Sequence, residues 1–364
     1  MRQAPKILAA VVVVTAVVPA VGDELKTYPT RYYVIHSDLP VERVREAAVR
    51  LNTMAEEYHR RTEGFAGAIS RRLPFYMFSS PEEYHAAGGP VGSVGAYTGE
   101  RLMALSDERV GDRVWSIVQH EGFHQFAHRV ITPRLPVWVN EGLAEYFGEG
   151  LWTGDGFVTG IIPPQRLKRL RRLMEAGRLL HFAEMLEMSH RQWNEALKVG
   201  GASRNYDQAW SMVHFLVHGD DGRYREAFAG FINDIANGAS QTEAFQQRFA
   251  GNIRGFEQRY AEWWRSLPDR PTRDLEIRAT VATLTSFLAR AAAAGKSYRD
   301  VDDFFESAEE GGLRISPSRG PDLWLPQSLL QQALKQARKL EEWSLVASAG
   351  RPAGLRLHRD EAVF

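Results

Sequence analysis

The sequence predicts an α+β fold: an N-terminal β-sheet with a packed helix, then a mostly helical lobe, then a helical C-terminal region. Three observations carry this. β-rich runs at 31–36 and 73–78 bracket a helical stripe in which Val44, Ala48, Leu51, Met54, Ala55 and Tyr58 share one face. From about residue 111 the apolar residues recur mainly at helical spacing. The segment Leu267-Pro268-Asp269-Arg270-Pro271 then interrupts the chain as a linker. The expected organisation is a signal segment over 1–22 and a domain over 23–267, with its sheet part at 28–110 and its helical part at 111–267. A helical region over 268–364 follows.

A chain of 364 residues holds one large or two ordinary domains, each with a real core. Lys+Arg and Asp+Glu are equal at 45 each, so nothing in the charge points to nucleic acid or an anionic membrane surface as partner. There is no Cys, which excludes disulfides, thiolate metal sites, a Cys nucleophile and a lipid-modified Cys.

The elements follow in order. Arg2 and Lys6 precede an apolar run at 7–18, and Ala20-Val21-Gly22 supplies a small-x-small cleavage site. The run is short for a membrane span, so a secretory signal is expected, and with it a mature protein that is periplasmic or secreted and not inserted in the membrane. After the strand at 31–36 comes a helix over 41–61, then a strand at 73–78. A short helix over 81–87 ends at Gly88-Gly89-Pro90. Segments 94–97 and 101–105 flank Thr98-Gly99-Glu100 as a hairpin.

The next helix carries chemistry. His120-Glu121-Gly122-Phe123-His124 has the form H-E-x-x-H. Two His residues four apart lie on one helix face, so both imidazoles reach one Zn²⁺. Glu121 is about 100° further round, beside the metal without being a ligand, where it can accept a proton from a water on the metal. A catalytic zinc takes three protein ligands and keeps one position open. Thr132-Pro133-Arg134-Leu135-Pro136 breaks the helix, and a second amphipathic helix over 138–147 turns back on it. That helix offers Glu141 as third ligand. Glu145, one turn on, is positioned to accept a hydrogen bond from the far nitrogen of a ligand His. His128, a further turn beyond His124, reads as a hydrogen-bonded His at the helix end.

At these residues the chain resembles the gluzincins, the zinc metallopeptidase clan that includes thermolysin and aminopeptidase N. In that clan H-E-x-x-H is followed by N-E-x-x-x-(D/E), matched here by Asn140-Glu141-Gly142-Leu143-Ala144-Glu145. The combination H-E-G-F-H-Q with L-P-V-W-V-N-E-G-L-A-E-Y-F is most similar to the exported bacterial peptidase MA-like proteins. The resemblance implies His120, His124 and Glu141 as ligands, Glu121 as general base and Glu145 as the acid behind the ligands. It implies a mixed N-terminal sheet ahead of a helical gluzincin catalytic lobe, with the edge strand, here 94–105, pairing with an extended peptide substrate. The metzincin pattern is absent, because Ala127 and Val130 stand where it needs Gly and His.

Beyond the motif, 148–164 reads as a Gly- and Pro-containing loop and 166–172 as a solvated basic helix face. A helix is expected over 183–197, a break at Gly200-Gly201-Ala202-Ser203, and a helix from Asn205 to Leu216. Asn205-Tyr206-Asp207-Gln208 resembles the segment of aminopeptidase-N-like enzymes whose Tyr hydroxyl stabilises the oxyanion, which nominates Tyr206. His214 and His218 are four apart with Phe215 where H-E-x-x-H needs an acid, so they read as structural. Helical sequence over 224–267 carries Phe228, Phe231, Phe245, Phe249, Phe256, Trp263 and Trp264 as core, and helices are expected over 275–294 and 326–347.

These observations lead to the expectation of an exported zinc peptidase acting on a peptide or protein substrate. The same residues would also serve a catalytically silent gluzincin fold that binds a partner, or a zinc hydrolase of non-peptide amides or esters.

Overall fold

The computed structural model describes residues 25–107, 110–198, 202–249, 252–311, 313, 324–340, 343–348, 351–359 and 362–363. The signal segment expected at 1–22 lies outside these residues. The chain divides into two units. One takes the chain up to Gly150 and again from Ile162 to Pro271; the other takes Leu151–Ile161 and the chain from Thr272 onward.

The first unit opens with Lys26–Pro29 (β1), a short exposed strand that sequence reading missed. Pro29 is tolerated because β1 is an edge strand. In Tyr33–Ser37 (β2) alternate residues are buried, and Val41–Thr62 (α1) crosses over to Leu73–Phe78 (β3), which lies parallel to β2. Pro81–Ala86 (α2) has Ser80 as its N-cap, accepting from the Glu83 amide. Gly95–Tyr97 (β4) and Leu102–Leu105 (β5) form the expected hairpin. The sheet order is β1-β2-β3-β5-β4, with β3 and β5 parallel and the two outer pairs antiparallel, so the sheet is mixed and β4 is its other edge.

Val114–Phe126 (α3) continues into a π-helical turn, Ala127–Ile131, and Val137–Gly148 (α4) returns against it. Aromatic packing fixes α1 on this pair. The Tyr58 ring lies 5.6 Å from that of Phe123 and 4.8 Å from that of Phe147, and its hydroxyl donates to the Gln119 carbonyl. The Gln119 side-chain amide donates to the carbonyls of Phe147 (2.9 Å) and Gly150 (3.0 Å), and that of Gln125 to Pro74 (2.9 Å). These bonds hold α3 to the end of α4 and to the sheet.

The remaining helices of this unit are Pro164–Glu175 (α5), Phe182–Glu187 (α6), His190–Lys198 (α7), Ala202–Gly222 (α8), Arg225–Ala236 (α9), Gln241–Phe249 (α10) and Ile253–Ser266 (α11). The single helix expected over 183–197 is two, broken at Met188-Ser189. The regular part of α8 ends before Gly219, where the chain turns through left-handed Asp220 and Asp221. Phe228, Phe231, Phe245, Phe256 and Trp264 are buried as expected, while Phe249 and Trp263 are half-buried.

The basic stretch 166–172 is solvated only in part: Lys168 and Arg172 are exposed, but the other three arginines are not. Arg166 is buried, Arg169 forks onto Asp207 with both contacts at 2.9 Å, and Arg171 donates to the carbonyls of Trp264 and Leu267 at the end of α11. A guanidinium there satisfies carbonyls that the helix leaves open.

The second unit contains the small hairpin Leu151–Trp152 (β6) and Phe157–Val158 (β7), then Arg273–Ala293 (α12), Val301–Glu309 (α13) and Gln327–Ala337 (α14). The helix expected over 326–347 stops at Ala337. Trp343–Ser348 (β8) instead begins an antiparallel sheet with Arg351–Arg359 (β9) and Ala362–Val363 (β10), and the Leu355 amide in β9 donates to Thr285 in α12. The run Trp-Ser-Leu-Val-Ala-Ser is short and mostly apolar, so its pattern does not by itself distinguish a strand from a continued helix. Among the described residues no helix is long and apolar enough to cross a membrane.

One close approach in the first unit governs the site. A Cβ on Gly142 would sit 2.5 Å from the Ala209 carbonyl oxygen and 2.6 Å from Val213 Cγ2, so α4 and α8 cross almost backbone to backbone. Gly→Ala inside a helix normally stabilises by up to about 1 kcal/mol. Here the backbone carbonyl cannot yield and the sign reverses. Gly142→Ala is expected to destabilise by about 1–3 kcal/mol in chemical denaturation, typical of overpacking. Unchanged or raised stability would contradict the crossing.

Candidate metal centre

α3 presents His120 and His124 one turn apart, with their Nε2 atoms 3.1 Å from each other. The two rings stand nearly perpendicular, with centroids 4.8 Å apart. Because α4 folds back on α3, Glu141 Oε2 arrives 3.5 Å from each Nε2. All three side chains are buried, and their ligating atoms lie within 4.8 Å of one another, so the group can hold a metal ion. Glu141 Oε2 is fully buried, and 3.5 Å is too long for a well-formed hydrogen bond to either ring. A buried carboxylate oxygen left in that state is costly, and a cation at the point of convergence removes the cost. The donor set of two imidazoles and a carboxylate suits such an ion.

The protonation of the three side chains agrees with this. Burial opposes the charge on Glu141, yet the two imidazoles override it and hold the carboxyl down to about 2. Burial likewise opposes charge on His124, and the Glu141 carboxylate overrides it, raising the imidazole to about 9. His120 is raised in the same way. The Glu141 contribution to stability is therefore present above its ordinary 4.5 and lost as pH falls through about 2. The His124 contribution is full below its ordinary 6.5 and lost as pH rises through about 9. A metal needs the neutral imidazole, so binding near neutral pH releases at least one proton. Affinity for Zn²⁺ or Co²⁺ is expected to rise about tenfold per unit from about pH 6 to 8. Calorimetry in buffers of different ionisation enthalpy measures the proton release; pH-independent affinity would contradict the coupling.

Glu121 is buried beside the group but is not one of its three ligating residues. Its Oε2 accepts the backbone N–H of Tyr97 at 2.8 Å, which ties it to the edge strand β4. Burial raises its pKa above the ordinary carboxylate value, against the lowering effect of His120, His124 and the Tyr97 amide. Glu145 Oε1 lies 3.5 Å from His120 Nδ1, the nitrogen turned away from the other two ligating residues. Tyr206, near the start of α8, has its ring centroid 6.4 Å from that of His120, and Trp193 packs edge-on against it at 5.1 Å. Burial, then the neighbouring Glu141 charge, keep the phenol protonated far above its ordinary range.

The other histidines lie elsewhere. The π-helical turn carries His128 to Tyr97, whose hydroxyl is 2.8 Å from His128 Nδ1 and donates to the Gly99 carbonyl. His218 Nε2 pairs with the Tyr146 hydroxyl at 3.0 Å. Burial, then Arg61 and Arg225, depress His218 to about 4, so it is neutral near pH 7.

Residues 114–240 match the family model described as "Protein of unknown function (DUF1570)". The match opens at the first residue of α3 and spans His120, Glu121, His124, Glu141, Glu145 and Tyr206. Comparison with curated proteins gives no match.

Sequence reading missed Arg166, whose guanidinium reaches Glu145, Glu149 and Asp207. The available signal was its helical phase. Arg166 is buried together with Leu167 and Leu170 on α5, so it belongs to the inward stripe and not to the outward one.

Proposed function

We propose that the protein is a zinc-dependent exported peptidase of the gluzincin type, with His120, His124 and Glu141 as ligands. The observation that carries this reading is Glu121: a buried carboxylate beside the ligands, held by the Tyr97 amide and raised in pKa. A closed structural metal site has no use for such a group, whereas hydrolysis needs a base there. Zn²⁺, when bound, lowers the pKa of a coordinated water to about 7 and polarises a substrate carbonyl.

The chain's own residues do the rest. Glu121 takes a proton from the attacking water at its carboxylate and passes it to the leaving amine. The Tyr97 N–H keeps that carboxylate aimed while its protonation changes. Tyr206, held protonated by burial, donates a hydrogen bond to the developing oxyanion. An extended peptide adds alongside β4. The Leu105 amide bonds the Val94 carbonyl and the Thr98 amide the Arg101 carbonyl, so Gly95 turns its N–H and C=O, and Tyr97 its C=O, away from β5 and toward the added strand, while the Tyr97 N–H stays on Glu121. The apolar run at 7–18 supports export of the chain.

Peptide-library cleavage with and without a chelator tests the reading. Metal-dependent cleavage supports it. A folded, zinc-loaded protein inert on all peptides would overturn it.

A further inference from the structure

Arg166 is a fully charged group with almost no contact with solvent, 3% exposed, in the third position of α5. A guanidinium in such a place requires anionic partners in good geometry. Its Nη1 lies 2.5 Å from Glu145 Oε2 and 3.0 Å from Glu149 Oε1. Its Nε lies 2.9 Å from Asp207 Oδ1, and its Nη2 donates to the Tyr206 carbonyl at 3.3 Å. The guanidinium also lies 4.5 Å over the Trp210 ring. One planar fork thus joins three elements: α4 and its C-cap through Glu145 and Glu149, α8 through Tyr206 and Asp207, and its own helix.

The two oxygens of Glu145 have divided partners. Oε2 belongs to Arg166, and Oε1 faces His120 Nδ1. Fixing the first oxygen fixes the rotation of the carboxylate and therefore the aim of the second. We propose that Arg166 is a positioning residue. Through Glu145 it sets the ring orientation of His120, and through the Tyr206 carbonyl it sets the turn of α8 that presents the Tyr206 phenol. The proposal rests on reading His120, His124 and Glu141 as a metal centre. Lys cannot replace Arg here, because a point charge cannot span the carboxylates of two helices and a carbonyl at once. Arg169 anchors the far side by forking onto Asp207, so the position of Arg166 is itself determined.

The test is zinc affinity by chelator competition for wild type, Arg166→Lys, Glu145→Gln and the double variant. Each single substitution is expected to weaken zinc by about 10- to 100-fold, the range for residues that orient a ligand. The double variant is expected to be no weaker than the worse single, because both changes cut the same link. The visible spectrum of the Co²⁺-loaded Arg166→Lys protein should differ from wild type, since the ligand field follows the His120 ring. A folded Arg166→Lys protein with wild-type zinc affinity and Co²⁺ spectrum would overturn the proposal, as would losses that multiply in the double variant. Should Arg166→Lys fail to fold, Asp207→Ala decides, because it removes the anchor that fixes the Arg166 guanidinium on α8, and with it the aim of Glu145, while leaving Glu145 and His120 themselves unchanged. Weakened zinc binding supports the proposal and wild-type binding overturns it. A folded wild type that binds no zinc removes the metal reading itself, a different outcome from unchanged variants of a zinc-binding wild type.

Discussion

Glu121→Gln is expected to lower peptide hydrolysis by at least ~10²–10⁴-fold, the contribution of a general acid–base, with zinc content unchanged. The side chain keeps its size, and its amide oxygen can still accept the Tyr97 N–H, so β4 and α3 stay in register. What is lost is a group that can hold a proton between the attacking water and the leaving amine. Substrate binding along β4 should survive, so the loss falls on kcat and not on KM. Single-turnover assays on a cleaved library peptide measure this. Near-wild-type turnover in a zinc-loaded variant would remove Glu121 from the mechanism.

His124→Ala is expected to abolish stoichiometric metal binding. The remaining pair, His120 and Glu141, leaves a ligand set too small for a buried Zn²⁺. The effect has a second readout. A ligand bound only by the native state stabilises it by about 4 kcal/mol at a thousandfold excess over Kd. Wild type should therefore show a Tm that falls when a chelator is added, and the variant a Tm that does not respond. Undiminished zinc in a folded variant would sink the ligand assignment.

The grouping of His120, His124 and Glu141 was legible in the sequence because its geometry is local. Four-residue spacing on α3 brings His120 and His124 together, and the Pro-containing break at 132–136 lets α4 return with Glu141. The sheet was legible where burial alternates, as in β2 and β3. It was not legible in β1, whose Lys-Thr-Tyr-Pro carries no apolar alternation. The backbone bond from Tyr97 to Glu121 has no sequence signature, because any residue supplies an N–H and only the fold brings these two together. Arg166 was hidden for a related reason. A run of basic residues looks solvated until the tertiary structure supplies its anions, here Glu145, Glu149 and Asp207. Trp343–Ser348 was read as helix because a short apolar run after a true helix fits either period.

The most direct measurement is a crystal structure of the zinc-loaded protein. The expected result is one Zn²⁺ bound by His120 Nε2, His124 Nε2 and the Glu141 carboxylate, with the fourth position open to water and Glu121 beside it, unligated. A fourth protein ligand closing the site, with Glu121 turned away, would contradict a catalytic metal centre.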